Sequence, residues 1–215
     1  RLKTISQNSD LGGGMAIAMK DLELRGAGNL LGAEQAGHIA GVGFDLYLRM
    51  ISEAVGEFKG EVAPESNDLR LEIPVDARIP EEYIDSERLR LEAYQKLSAA
   101  SFPSAPDDAI DREIDELVDR YGDIPEQVTT LASVARLRRR IGQLGITDLV
   151  TTGTNLRIVG EELPDSRQMR LQRLYPGAKY VTTMNSSIVP MPAREGDDLI
   201  EWVGDLVNAI YGEES

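Results

Sequence analysis

The 215-residue chain holds 37 Asp and Glu against 23 Lys and Arg, a formal net charge of −14 at pH 7, and 41% of its residues are hydrophobic, as in ordinary globular proteins. It contains no cysteine and one histidine, His38, which excludes disulfides, thiolate zinc sites, a cysteine nucleophile and a His-based metal site. No apolar run reaches the roughly eighteen residues of a membrane span, so we expect a cytoplasmic protein without a secretory leader.

A glycine-rich segment follows a short apolar stretch near the start of the sequence. Residues 15–22 carry apolar side chains at mixed spacing, which predicts a short buried helix or strand that stops at Arg25. Gly26 and Gly28 then interrupt any regular element, because glycine adopts positive φ at no steric cost. Neither a G-x-G-x-x-G fingerprint nor a P-loop sequence occurs, so the segment does not predict a nucleotide cradle. Taken singly, Arg25 could cap the preceding helix and Gln35 could be a solvated loop side chain.

The whole segment 21–37 reads DLELRGAGNLLGAEQAG, and it resembles the translocation motif of two kinds of duplex-DNA translocase. One is the transcription-repair coupling factor, and the other is the branched-DNA helicase that reverses stalled forks. The resemblance implies that the arginine and the glutamine couple closure of the two ATPase lobes to movement along double-stranded DNA. By position, these translocation-coupling residues and their loop glycines are Arg25, Gln35, Gly26, Gly28 and Gly32. ATP and Mg would be bound by the parent motor and not by this chain.

Three regions are predicted from composition. Apolar residues at helical spacing predict an amphipathic helix over residues 44–58. The resemblance implies that residues 1–60, which hold the translocation segment and this helix, are the end of a motor lobe. Residues 61–68 are polar and contain Pro64, which indicates a linker. Residues 61–215, the linker and the remainder 69–215, hold 30 Asp and Glu against 17 Lys and Arg, a net of −13 out of −14. Phosphate backbones would repel this excess negative charge and a basic protein partner would attract it. Because the sequence opens on Arg1 without Met, we expect a fragment of a longer protein.

Alternating apolar and polar residues over 69–75 predict a half-buried strand. Ser86 is predicted to cap a helix that runs to about Ala100, and a second helix is predicted from Asp107 or Asp108 to Gly122. Apolar residues recur at helical spacing in this second helix and predict a buried stripe; they are Ile110, Ile114, Leu117, Val118 and Tyr121.

Asp123 is predicted to cap a long helix that runs toward Gly145, with a buried seam at Leu131, Val134, Leu137, Ile141 and Leu144. This seam leaves four arginines mostly on the outer faces of the helix: Arg136, Arg138, Arg139 and Arg140. They could form a nucleic-acid patch, but the many neighbouring carboxylates favour a solvated face.

After Ile146 the pattern changes to short strands and helices. A hairpin is predicted over 149–159 and a second strand pair over 181–189, with a helix between them that Asp165 caps and that carries Met169, Leu171 and Leu174. A final amphipathic helix over 197–211 has Trp202 beside its apolar stripe, for which we expect a core or edge role. The predicted fold class is therefore α/β in the α+β sense, with a small sheet and several packed helices.

This tail contains Glu116-Leu117-x-Asp119-Arg120-Tyr121-Gly122-x-x-Pro125 and resembles the C-terminal domain specific to the transcription-repair coupling factor. In that family the parent is an ATP-dependent DNA translocase that displaces stalled RNA polymerase and recruits nucleotide-excision repair. The resemblance implies a regulatory domain that packs against the N-terminal module of the same protein. By doing so it masks the surface that binds the repair damage-recognition ATPase. We expect a monomer without catalytic residues, metal site or turnover of its own.

The masking hypothesis assigns a partner contact to Glu116, Asp119 and Arg120, which are spaced i, i+3 and i+4. This spacing predicts one exposed face opposite the apolar stripe at Ile114 to Val118. We expect reversal of the three charges to expose the repair-ATPase site without unfolding the domain. A surface ion pair between Glu116 and Arg120, internal to the helix, explains the same residues without any partner.

Other functions stay open from the residues alone. An acidic protein-interaction module would need no motor, and the motif at residues 21–37 would then be accidental. A branched-DNA fork-reversal helicase shares that motif but lacks the tail. An independent enzyme would require a nucleophile, base or metal set, and the sequence presents no distinctive cluster of such residues.

Overall fold

The computed structural model describes residues 69–212. The predicted translocation segment and most of the linker, residues 1–68, lie outside the described residues, so the proposed domain boundaries stay predictions. Within 69–212 the chain forms a mixed sheet of five strands and five α-helices. In chain order these are β1 Arg70–Glu72, α1 Glu87–Ala100, α2 Ala109–Tyr121, α3 Glu126–Gln143, β2 Asp148–Thr152, β3 Asn155–Val159, α4 Asp165–Leu174, β4 Lys179–Val181, a 3-10 turn Thr182–Met184, β5 Ser186–Pro190 and α5 Gly196–Tyr211. The predicted mixed α/β fold is confirmed.

The strands lie in the order β1-β2-β3-β5-β4. β1 pairs with β2 in parallel, and the other neighbours pair antiparallel. The predicted hairpin is confirmed, because β2 and β3 are joined by Gly153 and Thr154 with Thr152 opposite Asn155. Gly153 has a φ of 60°, the left-handed conformation that a two-residue hairpin turn needs and that glycine adopts without strain.

One face of the sheet forms the core with the helices. Residues that are opposite each other in the register share this face, and they are fully or almost fully buried: Leu71, Leu149, Leu156, Ile158, Ser187 and Val189. Above them α3 packs against α5, and α5 buries the whole predicted stripe, namely Leu199, Ile200, Val203, Leu206, Val207 and Ile210. Trp202 is partly buried against the core, with its ring centre 5.9 Å from that of Tyr175, in agreement with the predicted core or edge role.

The prediction that four arginines of α3 lie on its outer faces is wrong for two of them. Arg138 and Arg139 are buried. Arg138 donates to the carbonyl oxygen of Leu69, and Arg139 donates to the carbonyl oxygens of Ala105 and Pro106 and to Asp107. Backbone carbonyl groups that are removed from water need hydrogen-bond donors. The long arginine side chains supply them to carbonyl groups of segments that are distant in sequence.

Two other helix predictions fail in detail. The N-cap positions of α3 and α4 are Pro125 and Pro164, not Asp123 and Asp165. Ser86 is at the N-cap position of α1, as predicted, but its side chain forms no capping hydrogen bond. The predicted apolar stripe of α4 is reduced to one residue, because Leu171 is buried while Met169 and Leu174 are exposed. Val118 of α2 is likewise exposed. Helical spacing shows which face of a helix is apolar, but it does not show how much of that face the neighbouring elements cover.

Candidate functional site

The predicted site residues fall into two groups. Arg25, Gln35 and the loop glycines lie outside the described residues and stay predictions. The other three, Glu116, Asp119 and Arg120, lie on the last two turns of α2. The structure of this helix and its neighbours therefore decides what the second group can do.

Helix α2 forms because its apolar residues fit one stripe, of which Ile110 and Leu117 are buried. It ends at Gly122, whose φ of 84° stops the helical hydrogen bonding and favours glycine. The hydroxyl of Tyr83 lies 3.1 Å from the carbonyl oxygen of Leu117 and 3.0 Å from that of Gly122, so its one proton is shared between these two acceptors at the end of the helix. A side chain that precedes α1 thus fixes the end of α2 that carries the candidate residues.

The start of α2 is held by arginines of α3. Arg139 binds the loop at 105–107 directly before the helix, and Arg136 forms an ion pair with Asp111 in its first turn. Arg136 is exposed, as predicted, and neutralises a surface carboxylate, whereas Arg139 is buried and holds the loop before α2. The spacing on α3 alone could not indicate these partners, because they are 25 to 34 positions away in the chain.

Lys96 of α1 bridges the two helices at the candidate site. Its Nζ atom lies 2.7 Å from Oε1 and 2.6 Å from Oε2 of Glu116, and 4.0 Å from a carboxylate oxygen of Glu113. Oε1 of Glu116 also accepts a hydrogen bond of 3.1 Å from Nη1 of Arg120. Glu116 therefore holds two cations at once, one from its own helix and one from the neighbouring helix.

These contacts separate the acidities of two neighbouring carboxyls. Hydrogen bonds from Lys96 and then Arg120 lower the pKa of Glu116, because they favour its charged form. Burial raises the pKa of Glu113, and the attraction of Lys96 opposes that rise only in part. The hydrogen bond with Glu116 raises the pKa of Lys96 in turn. At neutral pH the bridge between α1 and α2 is fully charged.

Asp119 and Arg120 are the exposed members of the group. The guanidinium carbon of Arg120 lies 5.4 Å from the centre of the Tyr121 ring, a cation–π arrangement, and the Tyr121 ring meets that of Tyr83 edge-on at 5.8 Å. Within residues 69–212 Asp119 forms no ion pair. Asp119 and Arg120 are thus both exposed, whereas Glu116 is turned toward α1 and engaged there; that the three residues form one partner contact stays a prediction.

Sequence reasoning missed Lys96 and Tyr83. Both come from segments before α2 and meet it only through packing between elements, so helical spacing within α2 could not indicate them. The sequence did hold a weak signal for Lys96. This residue follows Ala93 by three positions and Leu89 by seven, so it lies next to the apolar face of α1. Such spacing places a lysine at the border of a buried face, where its ammonium group can reach a neighbouring helix.

No group of acidic or histidine residues in the described part of the chain is arranged to hold a metal ion. Among the helices of residues 69–212, none is long and apolar enough to cross a membrane. The candidate site is therefore a surface of charged side chains around the junction of α1 and α2, with an apolar floor of Ala93, Leu97 and Leu117. Such a surface can recognise a folded partner through its charges.

Comparison with known proteins points to one family. The TRCF domain family matches residues 73–171. A transcription-repair-coupling factor of Mycobacterium tuberculosis is 46% identical over 233 aligned positions, which cover 99% of this chain and 19% of the relative. A protein of the same name from Staphylococcus epidermidis is 40% identical over 161 positions, 74% of this chain and 13% of the relative. The chain thus spans about a fifth of the length of its mycobacterial relative.

Among solved structures, a C-terminal domain of transcription-repair coupling factor aligns with 66% of this chain and 93% of its own length. The sequence identity of that alignment is 15% and its TM-score is 0.49.

Proposed function

This chain belongs to the transcription-repair-coupling factor family, and from that premise we propose that its parent protein is an ATP-dependent double-stranded-DNA translocase. The parent displaces stalled RNA polymerase and recruits nucleotide-excision repair in the cytoplasm. The observation that carries this proposal is the identity of 46% with a protein of that name across 99% of the chain. The TRCF match also disfavours the two alternatives, a fork-reversal helicase and an unrelated acidic module.

In this proposal residues 21–37 couple the motor to the duplex. ATP binding closes the two motor lobes, Arg25 and Gln35 transmit the closure through hydrogen bonds, and the glycine-rich loop shifts a segment that bears on DNA. Gly26, Gly28 and Gly32 give the loop the backbone freedom that such a shift requires. ATP and Mg bind the motor lobes of the parent, and this chain performs no bond chemistry of its own.

Residues 69–212 act as the restraint. The surface formed by Asp119 and Arg120 packs against the N-terminal module and masks the repair-ATPase site in the resting protein. Two features of the structure support this role: both side chains are exposed, and the helix that carries them is fixed at both ends by Tyr83, Arg136 and Arg139. A rigid helix loses little entropy when it docks, which favours a stable intramolecular contact.

The structure changes how masking is best tested. Reversing Glu116 would bring a third cation beside Lys96 and Arg120 and would repel α1 from α2, so its effect on masking would be mixed with an effect on folding. Asp119 and Arg120 contribute no such bridge to α1. Their reversal is therefore the cleaner test of the partner contact.

The test uses the full-length parent protein in its resting state. The double variant Asp119→Lys with Arg120→Glu keeps the net charge, and we expect it to bind the damage-recognition ATPase about tenfold more tightly because the masked population falls. The matched control is Glu201→Lys with Arg173→Glu, two exposed positions on α5 and α4, for which we expect the wild-type affinity. An unchanged affinity in the first variant, with the fold intact by circular dichroism, would overturn the masking role.

A further inference from the structure

Arg120 presents one side of its guanidinium group to solvent. Its Nη1 atom donates to Glu116, whereas Nε and Nη2 donate to no residue within 69–212, and the side chain is 45% exposed. Nε and Nη2 form the edge of the guanidinium group that binds a carboxylate side-on through two parallel hydrogen bonds. The described structure therefore leaves a two-donor edge of Arg120 open.

The open edge needs an explanation, because a carboxylate that could close it lies one turn away. Glu116 and Arg120 are spaced i, i+4, which allows an ion pair within the helix. Glu116 does not form a two-pronged pair with Arg120, because both of its oxygens lie within 2.7 Å of Lys96 Nζ. Lys96 draws the carboxylate toward α1 and leaves Arg120 a single, longer hydrogen bond of 3.1 Å.

The ring of Tyr121 fixes the other side of the arrangement. Arg120 lies over this ring, and Tyr83 contacts the ring edge while its hydroxyl binds the end of the helix. The guanidinium plane is thus held between an aromatic platform and one carboxylate oxygen. A group held in this way loses less freedom on binding than a free surface arginine does.

We propose that Lys96 is a positioning residue of the masking surface: by holding Glu116 it keeps the Nε and Nη2 edge of Arg120 open, and that edge binds a carboxylate of the masked N-terminal module. This inference rests on the proposed masking function and adds the chemistry of the contact. The partner surface carries an aspartate or glutamate opposite Arg120. Lys96 itself contacts the partner at no point.

The experiment measures the affinity of the damage-recognition ATPase for the resting full-length protein. Lys96→Met releases Glu116, which then closes on Arg120, so we expect masking to weaken and the ATPase to bind about fivefold more tightly. Lys96→Arg keeps a cation at the bridge and is expected to retain masking. Lys179→Met, at an exposed lysine of β4, is the matched control and is expected to behave as wild type.

A second variant separates positioning from simple loss of an ion pair. In Lys96→Met combined with Glu116→Gln, the bridge is still broken, but no carboxylate remains to close on Arg120. We expect this double variant to regain masking relative to Lys96→Met. If the bridge only holds α1 against α2, the double variant would instead be as unmasked as Lys96→Met.

Arg120→Lys tests the shape of the contact, because lysine keeps the charge but lacks the two-donor edge; we expect it to unmask the site. The inference about Lys96 would be overturned if Lys96→Met bound the ATPase with wild-type affinity, or if Lys96→Met with Glu116→Gln did not regain masking. In either case the masking role itself still stands if Asp119→Lys with Arg120→Glu unmasks the site. If that charge reversal has no effect either, the proposed function fails and the inference fails with it.

Discussion

The guanidinium group of Arg138, in the middle of α3, donates a hydrogen bond of 3.0 Å to the carbonyl oxygen of Leu69, at the beginning of the described chain. Both residues are buried. A buried carbonyl that loses its donor retains the full cost of its desolvation. Arg138 thus joins the long helix of the core to the residue directly before β1.

We expect Arg138→Met to lower the free energy of unfolding of the 215-residue chain by about 2 kcal/mol, the usual effect of removing a charged donor from a buried acceptor. Denaturant unfolding followed by circular dichroism measures the change. Arg140→Met on the same helix is the comparison, because Arg140 is exposed and binds Asn208 at the surface; a change of about 0.5 kcal/mol or less is expected there. Equal effects of the two substitutions would contradict the role of Arg138.

The two carboxyls beside Lys96 are expected to titrate in opposite directions from their ordinary value of 4.5. The hydrogen bond from Lys96 lowers the pKa of Glu116, and burial raises the pKa of Glu113. Because the pKa of Glu116 is lower in the folded state, its contribution to stability is complete above the ordinary value and is lost as the pH falls through the lowered one. Side-chain carboxyl NMR titration measures both groups. In Lys96→Met both pKa values should rise, and an unchanged Glu116 would show that the bridge is absent in solution.

Tyr211 gives the domain a pH-dependent stability at high pH. Its hydroxyl lies 2.8 Å from Ser187 Oγ in the core, and burial raises the pKa of Tyr211 from 10.0 to about 12. The folded chain therefore keeps this proton while the unfolded chain loses it, so the contribution is complete below pH 10 and is lost as the pH rises to 12. The loss amounts to about 3 kcal/mol at most.

Tyr211→Phe removes this titration and tests it directly. We expect the variant to be about 1 kcal/mol less stable than wild type at pH 8, since the hydroxyl of Ser187 loses its buried partner. Between pH 10 and pH 12 the stability of the wild type should fall more steeply than that of the variant, as measured by denaturant unfolding at fixed pH. Parallel curves over that interval would contradict the assignment.

The translocation-coupling residues are tested in the parent motor. We expect Arg25→Ala and Gln35→Ala each to leave ATP hydrolysis largely intact while abolishing movement along duplex DNA and displacement of stalled RNA polymerase. Triplex displacement measures translocation, and phosphate release measures hydrolysis. Asn29→Ala is the matched control, because it changes a position of the same segment that the motif leaves variable. Translocation by both alanine variants would reject the assignment.

The elements with regular apolar spacing were predictable from sequence. The stripe of α5 buries the expected residues, and so does the seam of α3 except for Leu144, which is the C-cap and only partly buried. The apolar spacing of an amphipathic helix identifies a face that it buries. The hairpin at residues 148–159 was predictable for a similar reason, since alternation and a glycine turn act locally.

The contacts that build the candidate site could not be predicted, because they join residues distant in sequence. Lys96 and Glu116 are 20 positions apart, and Arg139 reaches carbonyls more than 30 positions away. Met169 and Leu174 fit a buried pattern, yet they are exposed, since α4 is covered by its neighbours only along a narrow line at Leu171. Local spacing states what an element could bury; only the packing of the whole chain decides what it does bury.

The two outer strands of the sheet are short. β1 and β4 each comprise three residues, β1 carries Arg70 and Glu72, and β4 begins with the exposed Lys179 and gives way at once to a 3-10 turn. Short, charged edge strands offer few backbone N–H and C=O groups to a strand of another molecule. We therefore expect little edge-to-edge pairing between copies of the domain, and little fibre formation through β1 or β4.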